Sequence, residues 1–120
     1  MAFTLYWTSL MISMNLRIVP QPRRTGELIH ALRLQMSRTE AQPGCLQCRL
    51  SQDQQQPNIV FYQEDWDDWP EIEKHIRSDR FVQILELMEL STVTPELSFF
   101  DINETRGIEY VQKLRTGTAD

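Results

Sequence analysis

IVFYQEDWDDWPEIEKHIRSDRF, residues 59–81, is the stretch in which the hydrophobic period changes and the fold is decided. Up to Trp66 the apolar side chains alternate between two faces, which is the period of a β-strand. After Asp68 the apolar residues recur at helical spacing. Asp68 stands where a helix cap is expected, and Glu71 follows it by three residues, as in a capping box. The stretch therefore predicts a strand and then a short helix, whose buried side is Trp69, Ile72 and Ile76.

The same two periods recur on both sides of this stretch and predict the remaining elements. A polar, glutamine-rich loop at 51–58 separates two of the strands. In the first helix Thr25 is the expected cap. In the last helix Ile108, Val111 and Leu114 are expected to face inward. In chain order the elements are a strand over 10–18, a helix between 25 and 42, strands at 45–50 and 59–66, helices after Asp68 and after Ser78, a strand over 95–102 and a helix over 108–114.

This order, β-α-β-β-α-β with the second helical region broken near Ser78, is the split-βαβ or ferredoxin-like arrangement. The predicted fold class is therefore α+β, with an antiparallel sheet that carries its helices on one face. Both faces of the strands hold apolar residues, since Phe61 adjoins Tyr62 and Phe99 adjoins Phe100 along the chain. Helices can cover one face only, so we expect a second copy of the chain to cover the other face and form a homodimer.

Length and composition set the outer limits of function. The chain has 120 residues, which suits one domain, and its 41% hydrophobic and 24% charged residues are typical of a packed globular protein. The net charge of −5 argues against a nucleic-acid partner bound through a basic face. Polar side chains interrupt the apolar start of the chain, which is too short for a membrane span. We expect a cytoplasmic protein without a membrane partner, divided into an extension at 1–10, a domain at 11–102 and a tail with a short helix at 103–120.

The two cysteines, Cys45 and Cys48, have a spacing that also occurs in redox and zinc motifs. On a strand, three residue steps span about 10 Å and reverse the face, whereas a disulfide needs Cα atoms within about 7 Å of each other. A zinc site would need two further ligands, and the sequence contains no second Cys pair and no His pair. The sequence therefore favours two small strand residues over a redox or metal role, and no metal site is expected.

Glu64 and Trp66 share one face of the predicted strand with Tyr62, and this face suits either a pocket for a flat ligand or plain core. The acids around them lack the glycine and the terminal glutamate of a calcium loop. His75 lies at the edge of an apolar helical stripe, where we expect partial burial and either a structural role or proton transfer. Asn15, on the polar side of the first strand, is a candidate to contact a carbonyl or phenolate ligand.

Two blocks of residues resemble the antibiotic biosynthesis monooxygenase family. QPGCL at 42–46 is similar to the family's EPGCLxY turn. EDW at 64–66 with EIEKHIRSDRF at 71–81 is similar to its ExWxs…lxxHxxSxxF signature. The resemblance covers about residues 11–102. It implies a dimeric α+β barrel, in which two four-stranded sheets pack face to face, and this agrees with the expected homodimer.

Members of this family include cofactor-independent monooxygenases that act on quinols or aromatic polyketides, and the resemblance implies such an activity here. In these enzymes the anion of the substrate itself reduces molecular oxygen. The implied partners are therefore a small aromatic molecule and oxygen, and no cofactor is expected. The protein would deprotonate the substrate and hold the anion in a mostly apolar pocket. The alternative is a non-catalytic dimeric protein of the same fold that binds a small molecule or serves in a stress response.

Carried over to this sequence, the family signature places Glu64, Trp66 and His75 in the functional positions. His75 and Glu64 are the candidate catalytic residues. Haem-degrading members have a Trp in place of His75 and a His in place of Leu85, so haem degradation is not expected. Cys48 stands where the family often has a Tyr. The candidate substrate-binding residues are Trp66, Tyr62, Asn15 and Phe81.

Overall fold

The computed structural model describes residues 11–117, so the predicted extension at 1–10 and the end of the tail at 118–120 lie outside the described residues. Within that part the predicted order of strands and helices is confirmed, and a short 3₁₀ helix is added. The elements are β1 (Met11–Ile18), the 3₁₀ helix (Pro22–Arg24), α1 (Thr25–Glu40), β2 (Cys45–Gln52), β3 (Val60–Trp66), α2 (Trp69–Ile76), α3 (Asp79–Met88), β4 (Glu96–Ile102) and α4 (Ile108–Thr116).

Local chemistry sets where the helices begin. Asp68 caps α2 as predicted, because its Oδ1 accepts a hydrogen bond from the backbone N–H of Glu71 at 3.0 Å. The prediction of Thr25 as the cap of α1 is wrong, because the 3₁₀ helix runs directly into α1 and makes Thr25 its first helical residue. Gly44 closes the turn before β2 with a φ of 89°, where a side chain would also collide with Glu71.

The four strands form one antiparallel sheet in the order β2-β3-β1-β4. The central strand β1 pairs with β3 on one side, where Leu16 is opposite Tyr62, and with β4 on the other, where Leu16 is opposite Leu97. This is the ferredoxin-like arrangement, and the predicted α+β fold class is confirmed. Within a single chain the sheet stays open and does not close into a barrel.

Three helices cover one face of the sheet, which we call the covered face. Helices α1 and α2 pack on the strands, and α3 packs against both of these helices. Alternate residues of β1 and β3 point into this layer and form the core with the apolar sides of the helices. None of the described helices combines the length and apolar character that crossing a membrane requires. The core includes Ile12, Met14, Leu16, Ile18, Leu28, Leu32, Val60, Tyr62, Trp66, Ile72, Phe81 and Ile84.

The opposite face of the sheet, which we call the open face, is more polar than the sequence predicts. Phe61 and Phe100 lie on it and are 39% and 52% exposed, among side chains such as Asn15 and Arg17. Phe99 is opposite Met14 on β1 and therefore belongs to the covered side. The open face therefore offers fewer apolar side chains for contact with a second copy of the chain than the sequence predicts.

The last helix, α4, departs from the prediction. Ile108, Val111 and Leu114 are 61%, 45% and 62% exposed, although helical spacing predicts that they face inward. Every residue over 103–117 is exposed, because the chain leaves the core after β4 and does not fold back on it. Helical periodicity identifies the apolar side of a helix, but it does not supply a surface for that side to pack against.

Candidate active site

Four side chains meet under the helices on the covered face, and we call Tyr62, Glu64, Trp66 and His75 the Glu64 cluster. Three of them alternate along β3 and so point to the same face. The Tyr62 hydroxyl donates to Oε2 of Glu64 at 2.6 Å, and Nε1–H of Trp66 donates to Oε1 at 3.1 Å. Glu64 is 0% exposed. Both oxygens of a fully buried carboxylate are therefore held by neutral donors from its own strand.

His75 completes the cluster from α2. Its Nε2 lies 3.1 Å from Oε1 of Glu64, and its ring centroid lies 4.7 Å from that of Trp66. His75 is 2% exposed, so the prediction of partial burial is wrong. The reason is that α3 starts directly after α2 and sets Phe81 edge-on against the imidazole at 5.4 Å. Ser78 fixes this junction, since its hydroxyl and its backbone N–H donate to the carbonyl of His75 at 2.6 and 3.0 Å.

The two ring nitrogens of His75 are the unsatisfied atoms of the cluster. Among the described residues neither nitrogen has a partner in hydrogen-bond geometry. Nε2 meets Glu64 at the distance of an ion pair but without the alignment of a hydrogen bond, and Nδ1 meets no partner. An unsatisfied buried polar group costs about 1–3 kcal/mol of stability. Within the described residues no hydrogen bond to either nitrogen offsets this cost.

Burial sets the protonation state of Tyr62. The pKa of Tyr62 lies far above its ordinary value, because burial disfavours the phenolate and the Glu64 carboxylate repels it. Tyr62 therefore stays a neutral donor to Glu64.

Cys48 borders the cluster, and its position corrects the prediction for the cysteine pair. A β-bulge follows Cys45, so that Cys45 is opposite Trp66 while Cys48 is opposite Glu64. The two sulfur atoms consequently lie on the same face of the sheet, 3.9 Å apart. Uninterrupted alternation predicts opposite faces and is wrong here. Leu46, within the bulge, is 51% exposed.

Asn15 lies on the open face, with the sheet between it and the Glu64 cluster. Its side-chain amide donates to the Ser13 hydroxyl at 3.0 Å. It also lines a groove of about 850 Å³ on this face. Tyr62 and Cys48 also line this groove, so it reaches the edge of the Glu64 cluster, whereas His75 is not part of its lining. The remaining residues that line the groove are Leu16, Arg17, Met36, Arg49, Leu50, Ser51, Phe61, Gln63, Glu96, Ser98 and Phe100.

Comparison with known proteins identifies the family. The sequence pattern of the antibiotic biosynthesis monooxygenase family matches residues 11–87, from β1 into the last turns of α3. The chain belongs to this family. None of the curated proteins matches it.

Solved structures of other proteins share the fold of this chain. A conserved protein from Methanosarcina mazei Go1 is 23% identical with a TM-score of 0.72, over 81% of this chain and 97% of its own. A structure named antibiotic biosynthesis monooxygenase is 17% identical with a TM-score of 0.67, over 76% and 97%. A protein from Shewanella oneidensis is 17% identical with a TM-score of 0.71, over 81% and 95%. At these identities the likeness shows the fold alone.

Cys48 is a neighbour of the Glu64 cluster that the sequence does not predict as a site residue. Sγ of Cys48 lies 3.9 Å from the hydroxyl of Tyr62, which binds Glu64. The family resemblance indicates this neighbour, because family members often have a Tyr at the position of Cys48. A Tyr there would border the same side chains. Among residues 11–117 no three His, Cys, Asp or Glu side chains come close enough to hold a metal ion together.

Proposed function

We propose that the chain is a cofactor-independent monooxygenase that oxidises a quinol or a related electron-rich aromatic molecule with molecular oxygen. The observation that carries the proposal is His75, a buried imidazole with Nε2 beside Glu64 and with Nδ1 unpartnered among the described residues. Imidazole accepts protons near neutral pH. His75 is therefore the proposed general base, and Nδ1 is the atom that takes the proton of the substrate. Membership of the family supports the reaction class.

Glu64 would assist the proton transfer through His75. A phenolic hydroxyl titrates near pH 10, so at neutral pH almost all of a quinol is protonated. When Nδ1 takes the proton, the imidazolium lies against a carboxylate that is already in place and shielded from water. General-base assistance of this kind typically raises a rate by about 10²–10⁴.

The electrons of the reaction balance within the substrate and oxygen. A ring C–H bond and the O–O bond break, a ring C–O bond forms, and the quinol becomes a hydroxyquinone. One oxygen atom enters the product and the other leaves as water, so the substrate supplies all four electrons. The rings of Trp66 and Phe81, which flank His75, would hold the flat anion in apolar surroundings.

Access to His75 requires movement of the helices. The side chains of the Glu64 cluster are at most 2% exposed, and α2 and α3 lie over them. A substrate therefore reaches Nδ1 when the α2–α3 pair separates from the sheet. We expect chemistry and water exclusion to follow when the helices close again.

Oxygen uptake against a panel of quinols and anthrones tests the proposed activity. For a substrate with turnover, one atom of labelled O₂ should appear in the product. His75→Ala should lower kcat at least about tenfold, and Glu64→Gln should lower it less. His30→Ala is the matched control, because His30 is exposed on α1, and it should leave kcat unchanged. Full activity of His75→Ala, or no uptake with any member of the panel, would contradict the proposal.

The alternative function, non-catalytic binding of a small molecule, is favoured by one observation. The groove of about 850 Å³ is accessible from the open face, while the side chains of the Glu64 cluster are at most 2% exposed. In that case aromatic ligands should bind without oxygen uptake. Phe100→Ala should weaken such binding, whereas His75→Ala should not. Calorimetric titration of both variants, together with the uptake measurement, separates the two functions.

We also propose a homodimer in which the domain at 11–102 pairs through its open face. Packing two such faces would cover Phe61 and Phe100 and enclose the groove between the two copies. Stable interfaces bury about 1,600 Å² in total. Light scattering at micromolar concentration should give the mass of two chains. Phe100→Lys should give monomers, while Leu34→Lys on the outer side of α1 should not, since Leu34 is 50% exposed away from the sheet. A well-folded wild-type monomer would contradict this proposal.

A further inference from the structure

The two cysteines have no part in the proposed mechanism, and their geometry suits thiol–disulfide exchange. Their sulfur atoms lie 3.9 Å apart on the covered face, and the chain contains no other cysteine. Because of the bulge, Cys45 and Cys48 are opposite Trp66 and Glu64, which are two residues apart on β3. Two steps along a strand span about 6.7 Å. That spacing falls within the Cα separation of disulfides, which extends to about 6.8 Å.

We propose that Cys45 and Cys48 form a redox-active dithiol that reacts with low-molecular-weight disulfides such as oxidised glutathione. Cys45 is the partly exposed member of the pair, so its thiolate attacks one sulfur of the disulfide. A mixed disulfide forms, and one reduced glutathione leaves. The thiolate of Cys48 then attacks the sulfur of Cys45, closes the internal disulfide and releases the second reduced glutathione. Two electrons and two protons pass from the protein to glutathione, so no other oxidant is needed.

The surroundings of the pair set the speed and the reversibility of this exchange. Burial raises the pKa of both thiols, so both carry their protons at neutral pH and exchange is slow, becoming faster as the pH rises. Cys45 is only partly buried, and disulfides that solvent can reach are reduced more easily than buried ones. The bond that forms is therefore of the labile kind rather than a permanent structural link.

Oxidation of this pair would move a side chain that contacts the Glu64 cluster. Sγ of Cys48 lies 3.9 Å from the hydroxyl of Tyr62, and that hydroxyl donates to Glu64 at 2.6 Å. Closing the disulfide shortens the separation of the two sulfur atoms by about 2 Å and so shifts the Cys48 sulfur toward Cys45. The dithiol thus couples the redox state of the solution to the packing around Glu64. The exchange reaction itself does not depend on the proposed monooxygenase activity.

Intact mass measurement of the folded full chain tests the proposal. After incubation with oxidised glutathione and alkylation, we expect a chain lighter by two hydrogen atoms, with no alkylated thiol and no disulfide-linked dimer. Reduced glutathione should restore both thiols. Two alkylated cysteines, a glutathione adduct that persists on the wild-type chain, or a linked dimer in place of the internal bond would each overturn the proposal.

Single variants test the order of attack. Cys48→Ala should stop at a glutathione adduct on Cys45, because the second thiol is missing. Cys45→Ala should form an adduct at least about tenfold more slowly, since Cys48 is 7% exposed. Equal adduct formation in the two variants would overturn the assignment of Cys45 as the attacking thiol. Raising the pH should speed the reaction of Cys48→Ala, and a rate without pH dependence would contradict thiolate attack.

Discussion

Each face of the sheet buries one carboxylate, and the side chains that surround the two carboxylates differ. Glu64 on the covered face lies beside the imidazole of His75. Asp65, the next residue on β3, is 1% exposed on the other face and accepts hydrogen bonds from the amides of Gln47 at 2.7 Å and Gln63 at 3.0 Å. Amide donors satisfy a carboxylate but take up no proton. Burial alone therefore does not distinguish the two carboxylates, and the proposed role of Glu64 rests on its neighbour His75, which can accept a proton.

The largest expected effect tests the packing of the covered face. Trp66→Ala should lower the free energy of unfolding by about 3–5 kcal/mol, because it leaves a cavity against His75 and removes a donor to Glu64. Trp69→Ala is the matched control, since Trp69 is 40% exposed, and it should cost about 1 kcal/mol or less. Urea denaturation measures both values. Equal losses in the two variants would mean that the cluster is not the rigid centre of the fold.

A smaller effect compares the same substitution on the two faces. Glu64→Gln should lower the free energy of unfolding by about 1–3 kcal/mol, because the charged acceptor of two buried donors is lost. Glu96→Gln on the open face should change it by less than about 0.5 kcal/mol, since Glu96 forms an exposed ion pair with Arg17 at 3.5 Å. Denaturation at neutral pH gives both numbers. If Glu96→Gln lowers the free energy of unfolding as much as Glu64→Gln does, the two faces do not differ in how strongly they hold a carboxylate.

Much of the covered face could be predicted from the sequence, because alternation and capping are local. The period of β3 put Tyr62, Glu64 and Trp66 on one side, and Asp68 marked the start of α2. The burial of His75 was not predictable in this way. It depends on α3, which is separated from α2 by only two residues and covers the imidazole with the ring of Phe81.

The misses elsewhere have two physical causes. A single inserted residue at the bulge reverses the face of Cys45, and strand alternation assumes that no residue is inserted. For α4, spacing identified an apolar side at Ile108 and Leu114 but could not show that the chain leaves it exposed. Alternation predicts aromatic residues on both faces of the sheet, and Phe61 and Phe100 do lie on the open face, but it does not predict how polar their neighbours are.

The smallest expected effect concerns how Tyr62 makes stability depend on pH. Burial, and then repulsion by Glu64, raise the pKa of Tyr62 far above its ordinary value. Below about pH 10 the folded and unfolded chains both keep the phenolic proton, so Tyr62 adds no pH dependence there. Above it the unfolded chain loses the proton and the folded chain keeps it. The free energy of unfolding therefore falls as the pH rises, by up to about 1.4 kcal/mol per pH unit.

Tyr62→Phe removes this difference in bound protons. At neutral pH it should cost about 1–2 kcal/mol through the lost hydrogen bond to Glu64, and the gap to wild type should narrow between about pH 10 and about pH 11. Measuring the same difference in a Cys48→Ala background removes the thiol that the Tyr62 hydroxyl contacts at 3.9 Å. Tyr110→Phe, at a ring that is 41% exposed, is the matched control, and it should change the free energy of unfolding at neutral pH by less than about 0.5 kcal/mol. If urea denaturation shows a constant gap for Tyr62→Phe, the buried face does not hold this hydroxyl neutral against Glu64.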